Sequence, residues 1–425
     1  MIQRRLLFLR KYSLLFKQFV AYVKGDGGVV ESVDYLYSKF TQAPNASILQ
    51  IPTSYKTSVL YNQEPFNPSE DFDVIRNSTV NRIAPNGLLE EIGVNVPCID
   101  YATGEPLLLT QPQSTNFVTY SEDFSNVSWS KIKGGIGSVP ILDFGYTSPK
   151  GTLNATKITL DKGSSTSLSD FSSLKFDLTQ FDGVVSIYLK GENGGEDVTL
   201  LAKGSDLGTF TLTSQWVRYE VYSSQAVQLT LRLRGDVNIN NVATFYAWGA
   251  QAEGQPFATS HIETNGSVAT RLADVIENAG STNTINSEEG VFHFKSAAFF
   301  EGETYRNISI SDGTSSNFIL FRYDLIDNQV RAFYKNNNVT EGAIIKDNVN
   351  VLDINSFDLI WNDETLKLYV NEVFHQSVSL SNTFSANTLS KVDFYLAGNN
   401  FEAKTKELRV YKSIAEAQID LPYIT

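Results

Sequence analysis

From about Ile48 to the C-terminus, short segments of alternating apolar and polar residues are separated by turn residues. The segments are rich in β-branched and aromatic residues and end at Gly, Asn, Asp or Ser, which is typical of strands in antiparallel sheets. A first series lies at 184–190, 197–203, 216–222, 227–235 and 243–251. A second series lies at 290–300, 317–324, 329–335, 356–363, 366–380, 391–398 and 406–413. Repetition about every ten residues predicts a mainly β protein with two antiparallel β-sandwiches of the jelly-roll type.

Residues 3–24 follow a different pattern, in which pairs of polar residues recur every seven positions beside a wide apolar surface. The pairs are Gln3/Arg4, Arg10/Lys11 and Lys17/Gln18. This period predicts an amphipathic helix of about six turns that ends at the glycines after Asp26. Residues 29–42 are compatible with one more short helix. Because basic residues interrupt each apolar run, we predict neither a secretory signal nor a membrane span.

Three interpretations of the N-terminal helix remain open. It lies on a membrane surface, it packs on its own domain, or it is buried against partner subunits as an assembly anchor. We favour the anchor, and therefore predict no membrane partner, because a soluble monomer rarely leaves so wide an apolar face exposed. The seven-residue period also favours association between helices, and hence a homo-oligomer.

Composition narrows the classes of protein that the chain can be. Of its 425 residues, 42% are hydrophobic, which is enough to form real cores and excludes wholesale disorder. Cys98 is the only cysteine, so a disulfide framework and a cysteine zinc site are excluded, and nothing requires an oxidising compartment. His261, His293 and His375 are far apart and show no ligand spacing, so we predict no histidine metal site.

Charge is distributed unevenly along the chain. The net charge is -13, yet residues 1–24 contain six basic side chains and no acidic one. The other 401 residues, with 28 basic and 47 acidic side chains, carry -19. A chain of this balance is not expected to bind nucleic acid as its main partner.

We find no pattern of catalytic residues in the sequence. It contains no nucleophile elbow, zinc-protease, phosphate-loop or dinucleotide motif, and Gly134–Gly137 is a glycine cluster that we interpret as a loop. A glycosidase needs two placed carboxylates, and the nearest acidic cluster, Glu70–Asp73, is predicted to be a solvated turn. His375 has no serine or cysteine partner. We therefore predict a protein that is not an enzyme, with no catalytic residues and no cofactor.

Sugar binding requires aromatic faces and polar loop residues, a weaker signal than catalysis. The loops 309–317 and 334–342 supply Asn, Ser, Thr and Asp, but the sequence does not identify ligand-binding residues. Asp312 and Asp324 are candidates for a calcium ion, although no motif supports one. The 334–338 and 362–365 segments are predicted hairpin turns, because Asn tolerates a positive φ.

Several conspicuous side chains have structural explanations. The four tryptophans lie in or beside predicted strands, so we expect each in a core rather than as a sugar platform; they are Trp129, Trp216, Trp248 and Trp361. Arg76 and Arg82 are expected to pair with backbone carbonyls or with Glu90 and Glu91. Pro85–Gly87 is a predicted turn, and Arg271 is expected to fix the chain where it leaves the first sandwich.

Three blocks of sequence, together and in this order, resemble a known family. They are DFDVIRNSTVNRIAPNGLLEEIGVNVPCIDY (71–101) followed by 107–131, FYAWGAQAEGQPFATSHIETNGSVATR (245–271), and LKLYVNEVFHQSVSL (366–380) with KELRVYKSIAEAQI (406–419). The segments 26–32 and 51–61 are similar to the same family. The family is that of tail or head fibre proteins of bacteriophages that infect Bacteroidetes-type hosts, which carry a carbohydrate-binding-like sandwich and a concanavalin A-like lectin domain.

The resemblance and the strand pattern together imply a domain organisation. Residues 1–60 form a helical attachment segment and residues 61–114 an irregular β connector. Residues 115–272 form a carbohydrate-binding-like sandwich and residues 285–425 a concanavalin A-like sandwich, with soft boundaries near 111–114 and 265–289. The closing segment 413–419 resembles the short helix at the end of lectin-like sandwiches, with Ser413 as its N-cap.

The resemblance also implies a function and partners. The protein is expected on the surface of a phage particle after assembly in the host cytoplasm, as a fibre or spike subunit that docks through residues 1–60 and binds host-surface glycans. A trimer is the favoured oligomer. The alternatives are a purely structural decoration or connector protein and, less favoured because a signal peptide and lipobox cysteine are missing, a bacterial surface glycan-binding protein.

Overall fold

A computed structural model describes residues 29–30, 43–62 and 68–425. This part of the chain is mainly β and its strand pairs are antiparallel, which confirms the predicted fold class at that level. The helix predicted for residues 3–24 lies outside the described residues, as does most of the one predicted for 29–42. Val29–Val30, at the start of the latter, form a short strand that pairs with Ser54 and Tyr55.

The strands are numbered in chain order. The first sixteen are β1 (Val29–Val30), β2 (Ile48–Lys56), β3 (Val59–Asn62), β4 (Phe72–Ile75), β5 (Val80–Ile83), β6 (Leu89–Ile92), β7 (Cys98–Asp100), β8 (Leu107–Thr110), β9 (Ser114–Asn116), β10 (Trp129–Gly134), β11 (Ile141–Thr147), β12 (Leu153–Asp161), β13 (Phe171–Gly191), β14 (Asp197–Lys203), β15 (Asp206–Thr211) and β16 (Val217–Arg234). The next eight are β17 (Val242–Glu253), β18 (Ala269–Arg271), β19 (Val275–Glu277), β20 (Gly290–Ala298), β21 (Arg306–Ser311), β22 (Phe318–Tyr323), β23 (Val330–Asn336) and β24 (Val339–Lys346). The last are β25 (Asn355–Trp361), β26 (Thr365–Val370), β27 (Val373–Ser379), β28 (Lys391–Asp393), β29 (Tyr395–Leu396), β30 (Asn399–Asn400) and β31 (Ala403–Tyr411). A 3-10 turn spans Pro68–Glu70, and a helix, α1, spans Ile414–Asp420.

The described chain forms two compact units, and neither is a single continuous stretch of sequence. Unit 1 contains the described residues up to Thr79, then Ile92–Pro112 and Ala273–Thr425. Unit 2 contains Val80–Glu91 and Gln113–Leu272. Residues of the predicted connector 61–114 thus contribute to both units.

Unit 1 is a sandwich of a large and a small sheet. The large sheet has the strand order β19-β4-β3-β2-β31-β20-β25-β26-β27, and the small one the order β24-β23-β22-β21-β28. Alternate residues of each strand point into the shared core, as the period of two requires. Phe321 of the small sheet meets Phe357 of the large sheet at 4.4 Å between ring centroids.

The large sheet extends well beyond the strands predicted for residues 285–425. Strand β2 pairs with β31 through Ile48↔Val410 and its neighbours, so residues 48–56 are a strand and not part of a helical segment 1–60. The physical reason is that β31 would otherwise present an unpaired edge beside a buried core, and β2 satisfies its backbone groups.

Helix α1 covers part of the outer face of the large sheet. Ala417 and Leu421 pack with Leu49, Val291 and Tyr411 in a second core. The Ser413 side chain accepts a hydrogen bond of 3.2 Å from the Glu416 backbone N–H, which confirms the predicted N-cap. Within the part of the chain that the structure describes, no helix is both long enough and apolar enough to cross a membrane.

Unit 2 is built around two long strands that bend. Its main sheet has the order β11-β12-β17-β13-β16-β14-β15, with β10 also paired to β13. The β13–β16 ladder shifts register between Asp177 and Gly183, and the residues before and after this bend enclose one core. Leu174 from the first half and Ile187 from the second are both fully buried in it.

The predicted turns are confirmed. Asn337 and Asn338 have φ values of 49° and 66° between β23 and β24. The Asn362 side chain accepts hydrogen bonds from the backbone N–H groups of Glu364 and Thr365 at 2.9 and 2.7 Å. Gly87, at φ 80°, donates to the Ala84 carbonyl at 2.9 Å.

Candidate functional site

The strongest candidate site is a polar pocket of about 260 Å³ at the edge of the small sheet of unit 1. Strand β28 forms its floor, between β21 on one side and the segment after β19 on the other. Three separate parts of the chain contribute to the lining: Glu277 and Asn278, the loop residues Ser311 and Gly313–Ser315, and Lys391, Asp393 and Tyr395–Ala397. We call this the β28 pocket.

Asn278 links the charged groups of the β28 pocket. Its side-chain oxygen accepts a hydrogen bond of 2.8 Å from the Lys391 ammonium, and its side-chain nitrogen donates to Asp73 at 3.1 Å. Its backbone N–H donates to Asp393 at 2.7 Å, a contact that requires the left-handed φ of 73° at Asn278. These bonds hold the amide, the ammonium and the carboxylate in fixed positions before any ligand arrives.

Burial changes the acidity of the Asp393 carboxyl. The side chain is 8% exposed, and desolvation raises the pKa of Asp393 despite the Asn278 N–H and Lys391, which act in the opposite direction. A buried carboxyl next to a pocket is a strong hydrogen-bond acceptor when ionised, because little water competes for it.

The loop 309–317 forms one wall of the β28 pocket, in agreement with its identification from sequence as a polar loop. Asp312 organises the loop by accepting hydrogen bonds from the Thr314 N–H at 2.7 Å, the Thr314 hydroxyl at 2.6 Å and the Asn317 amide at 2.7 Å. Burial opposes the charged form of Asp312, but these bonds outweigh it and lower its pKa. The loop therefore presents Thr314 and Ser315 on a firm frame.

Tyr395 supplies the aromatic surface at the rim of the pocket. The ring is 36% exposed, while its hydroxyl accepts a hydrogen bond of 3.0 Å from the Gly398 N–H. The Tyr395 carbonyl accepts another of 3.0 Å from the Ser309 hydroxyl. A half-exposed ring whose hydroxyl and backbone carbonyl are both held by hydrogen bonds is suited to pack against the apolar face of a sugar.

Taken together, the β28 pocket offers an ammonium, a carboxylate, an amide and hydroxyl groups around one aromatic rim. That set can bind a small ligand rich in hydroxyl groups. None of the three histidines is among the residues that line the pocket.

Most of the conspicuous side chains from the sequence have structural roles. Trp129, Trp248 and Trp361 are at most 3% exposed, which confirms the core interpretation for them, whereas Trp216 is half-buried. Arg82 pairs with Glu90 at 2.7 Å, as predicted. Buried Arg271 donates to the Leu272 carbonyl at 3.0 Å, where the chain leaves unit 2.

The prediction that Glu70–Asp73 is a solvated turn is wrong, because the first three residues are buried and strand β4 begins at Phe72, which leaves only Asp73 exposed. Glu70 and Asp71 are 9% and 4% exposed, and Asp71 accepts a hydrogen bond of 2.6 Å from the Asn62 backbone N–H. The acidic cluster is part of the packing between β3 and β4, because its carboxylate satisfies a buried backbone donor.

The candidate calcium ligands are occupied by protein groups. The Asp312 carboxylate accepts hydrogen bonds from residues of its own loop, and Asp324 forms an ion pair with Arg331 at 2.8 Å. Among the residues that the structure describes, no group of three or more His, Cys, Asp or Glu side chains has a metal-binding arrangement. The prediction of no cofactor, with Asp312 and Asp324 as candidate calcium ligands that no motif supports, stays a prediction.

The histidines differ in their surroundings. His261 is buried with Nε2 at 3.1 Å from Glu122, and burial lowers its pKa. His293 is buried against Asp358 at 2.7 Å. His375 lies at the surface, 2.8 Å from the Ile345 carbonyl oxygen.

Sequence reasoning did not identify Asn278, Lys391, Asp393 or Tyr395. A signal was present in the segment KVDFYL, where Val392 and Phe394 alternate with the three outward residues. Alternation identifies the outward face of a strand, but it does not show which loops lie beside it.

Comparisons with known proteins give only distant likenesses. No family model and no curated protein matches the chain. Among solved structures, the CBM40 of the Ruminococcus gnavus IT-sialidase bound to α2,3-sialyllactose is similar over 32% of this chain and 83% of its own, with 13% identity and a TM-score of 0.27. A second similar structure is domain 4 of AbnA, an extracellular GH43 arabinanase from Geobacillus stearothermophilus, in complex with arabinotriose. The match covers 40% of this chain and 84% of that chain, with 11% identity and a TM-score of 0.28.

An enzyme is also among the similar structures. It is SCLam, a non-specific endo-β-1,3(4)-glucanase of family GH16. The match covers 35% of this chain and 64% of the SCLam chain, with 8% identity and a TM-score of 0.26. At these identities and scores the likenesses carry no conclusion about ligand or activity, which has to come from the residues of this chain.

Proposed function

We propose that the protein is a non-enzymatic glycan-binding protein and that the β28 pocket of unit 1 holds a sugar of the glycan. The observation that carries the proposal is the half-exposed Tyr395 ring beside a network of polar groups that is already ordered by Asn278. Sugars present an apolar face and a ring of hydroxyl groups, and the pocket offers a matching surface for each. A preordered site loses less side-chain entropy on binding.

We further propose that the protein is a fibre or spike subunit on a bacteriophage particle, assembled in the host cytoplasm, with host-surface glycans as the ligand. This assignment rests on the sequence resemblance. Single sugar sites are weak, with dissociation constants of about 0.1–1 mM, and several copies on one particle would raise the avidity. The predicted homo-oligomer, with a trimer favoured, stays a prediction that the mass of the intact protein tests.

Replacing Tyr395 tests the pocket. In Tyr395→Ala we expect binding to purified host-surface polysaccharide to weaken at least about tenfold, because the stacking surface is lost. Binding is measured by calorimetry on the full chain, and Asp393→Asn should weaken it as well by removing the charged acceptor. Phe374→Ala removes another exposed aromatic of unit 1, 50% exposed and outside the pocket, and should bind like the wild type.

Two outcomes would contradict the glycan proposal. One is a wild-type protein that binds no host polysaccharide, which would leave the purely structural connector as the better interpretation. The other is equal binding by Tyr395→Ala and Phe374→Ala, which would move the site away from the β28 pocket.

A deletion of residues 1–24 tests the virion assignment separately. We expect the full chain in purified phage particles and the shortened chain in the soluble fraction, because the apolar helix face would be the docking surface. The measurement is quantitative mass spectrometry of the particles. Incorporation of the shortened chain at the normal level would refute docking through this segment.

A further inference from the structure

A row of tyrosines and lysines crosses the sheet of unit 2 on the side that faces away from the core. Four neighbouring strands place Asp143, Lys157, Tyr246 and Lys190 opposite one another, through the pairs Asp143↔Lys157, Lys157↔Tyr246 and Lys190↔Tyr246. Their chain neighbours Ile158, Phe245 and Leu189 are fully buried on the opposite side. Since side chains alternate between the two faces of a strand, the row points outward. We call it the tyrosine–lysine row.

The row is a continuous surface. The rings of Tyr146 and Tyr246 lie 5.1 Å apart, and the Lys157 ammonium lies 5.9 and 6.0 Å from their centroids. The Lys190 ammonium lies 5.7 Å from the Tyr246 centroid, on the side of the neighbouring strand β13. Both rings and both lysines are half-buried, so their positions are restricted while they remain accessible.

The two lysines differ in their partners. Lys157 is neutralised by Glu192 at 2.5 Å, and Tyr146 donates to Asp143 at 2.6 Å. Lys190 has no carboxylate within 4.0 Å among the residues that the structure describes.

Hydroxyl groups continue the surface along the same strands. Thr159 and Thr244 lie two residues from Lys157 and Tyr246, on the same face, with their hydroxyl oxygens 3.1 Å apart. The row spans four strands, or roughly 14 Å at the usual strand spacing. A surface of that length, with rings for stacking, hydroxyls and a free cation, matches several sugar units of an extended chain rather than a single small molecule.

We propose that the tyrosine–lysine row binds an acidic polysaccharide, with a sugar ring on Tyr246 and a carboxylate or sulfate group at Lys190. The ring selects the apolar face of the sugar, and the ammonium selects the acidic group. This is a second site on unit 2, with a different class of ligand, and it does not depend on the β28 pocket of unit 1.

The test compares three polymers of similar length on the full-length protein: polygalacturonate, dextran sulfate and neutral dextran. The first two present carboxylate and sulfate groups and show which acidic group is preferred. The wild type should bind at least one acidic polymer and bind neutral dextran at least about tenfold more weakly, the change expected when a bond to a charged group is lost. Binding should weaken as the salt concentration rises.

Matched variants distinguish binding at the tyrosine–lysine row from non-specific attraction of the polymer to positive charge. Lys190→Gln and Tyr246→Ala should each weaken binding of the acidic polymer at least about tenfold. Lys133→Gln removes the same charge from an exposed position on β10 and should have less than about a twofold effect, because a distant exposed charge is screened. Unchanged thermal unfolding of the variants shows that the fold is intact, and Tyr395→Ala should bind the acidic polymer normally.

Four results would overturn the proposal. The first is a wild type that binds neither acidic polymer. The second and third are an equal loss in Lys133→Gln and Lys190→Gln, and binding of a DNA oligonucleotide as tight as that of the polysaccharides, and either would reduce the effect to charge alone. The fourth is loss of acidic-polymer binding in Tyr395→Ala but not in Tyr246→Ala, which would place the ligand in unit 1 instead.

Discussion

Arg76→Ala is expected to destabilise unit 1 by about 3–5 kcal/mol, the cost of breaking a buried ion pair on one side. Arg76 and Asp274 are 0% and 2% exposed, and their ion pair is 2.8 Å long. The same guanidinium donates to the Ser78 carbonyl at 3.0 Å and to the Gly93 carbonyl at 2.8 Å. Asp274 also accepts the Gln111 backbone N–H at 2.9 Å. One side chain thus fixes three separate segments of unit 1.

The measurement has to distinguish the two units, because a chain with two units need not unfold in one step. Hydrogen exchange of peptides from β4 and β19, followed against denaturant concentration, reports on the affected region. Arg76→Lys retains the charge but not the planar set of donors, and should fall between the wild type and Arg76→Ala.

A surface ion pair of the same unit is the control. Lys406 pairs with Glu105, and the two side chains are 28% and 57% exposed. Lys406→Ala should therefore change the stability by at most about 1 kcal/mol. If Arg76→Ala stays within that range as well, the buried pair does not stabilise unit 1 in the way argued.

Features encoded by neighbouring residues could be predicted from the sequence. The alternation in β20, β22 and β25 marks their strands, and the asparagines at 337 and 338 mark a turn because they tolerate a positive φ. The N-cap at Ser413 depends on a contact only three residues away. In each case the signal and the structure lie within one short segment.

Features that depend on distant pairing could not be predicted. The register of β2 with β31 joins Ile48 to Val410, and nothing in either segment specifies the other. Asp71 has the composition of a solvated turn, but its partner Asn62 becomes available only when β3 and β4 pair. The β28 pocket has the same origin, since Asn278, Thr314 and Tyr395 come from three separate segments.

Because each unit is discontinuous in sequence, a fragment of the chain does not contain a complete unit 1. A fragment that begins at residue 285 would lack β2, β3, β4 and β8, which pair within the large sheet. It would expose the edge of β31 and the apolar side chains that these strands cover, so it is expected to aggregate. Unit 1 is therefore expected to be intact only in the full chain.

Glu407→Leu is expected to destabilise unit 1 by about 3–5 kcal/mol, because it leaves the buried Arg409 guanidinium without its carboxylate. Glu407 is fully buried on the outer face of the large sheet, 3.0 Å from Arg409, 3.2 Å from Lys295 and 3.5 Å from His293. Burial alone would lower the pKa of Arg409, yet Glu407 and Tyr411 raise it. The carboxylate is therefore what keeps this buried guanidinium charged at low cost.

The same cluster has the composition of an acid–base pair, since His293 contacts both Asp358 and Glu407. Both carboxylates are 0% exposed. Tyr423, in the C-terminal segment, donates a hydrogen bond of 3.2 Å from its hydroxyl to Asp358. A carboxylate without access to solvent cannot protonate a glycosidic oxygen. We therefore interpret the cluster as structural.

A double variant tests whether Glu407 and Arg409 stabilise unit 1 as a buried ion pair. Arg409→Met alone should also lower the free energy of unfolding, since it leaves Glu407 with fewer cations. The double variant Glu407→Leu with Arg409→Met should recover at least about 2 kcal/mol of the summed loss of the two single variants. The reason is that an apolar pair can replace a buried ion pair. The free energy of unfolding is obtained from hydrogen exchange of β20 and β31 peptides. Strictly additive losses would show that the two side chains are not energetically coupled. Binding of polysaccharide by the β28 pocket should persist in the double variant, because the cluster lies on the large sheet and the pocket at the edge of the small one.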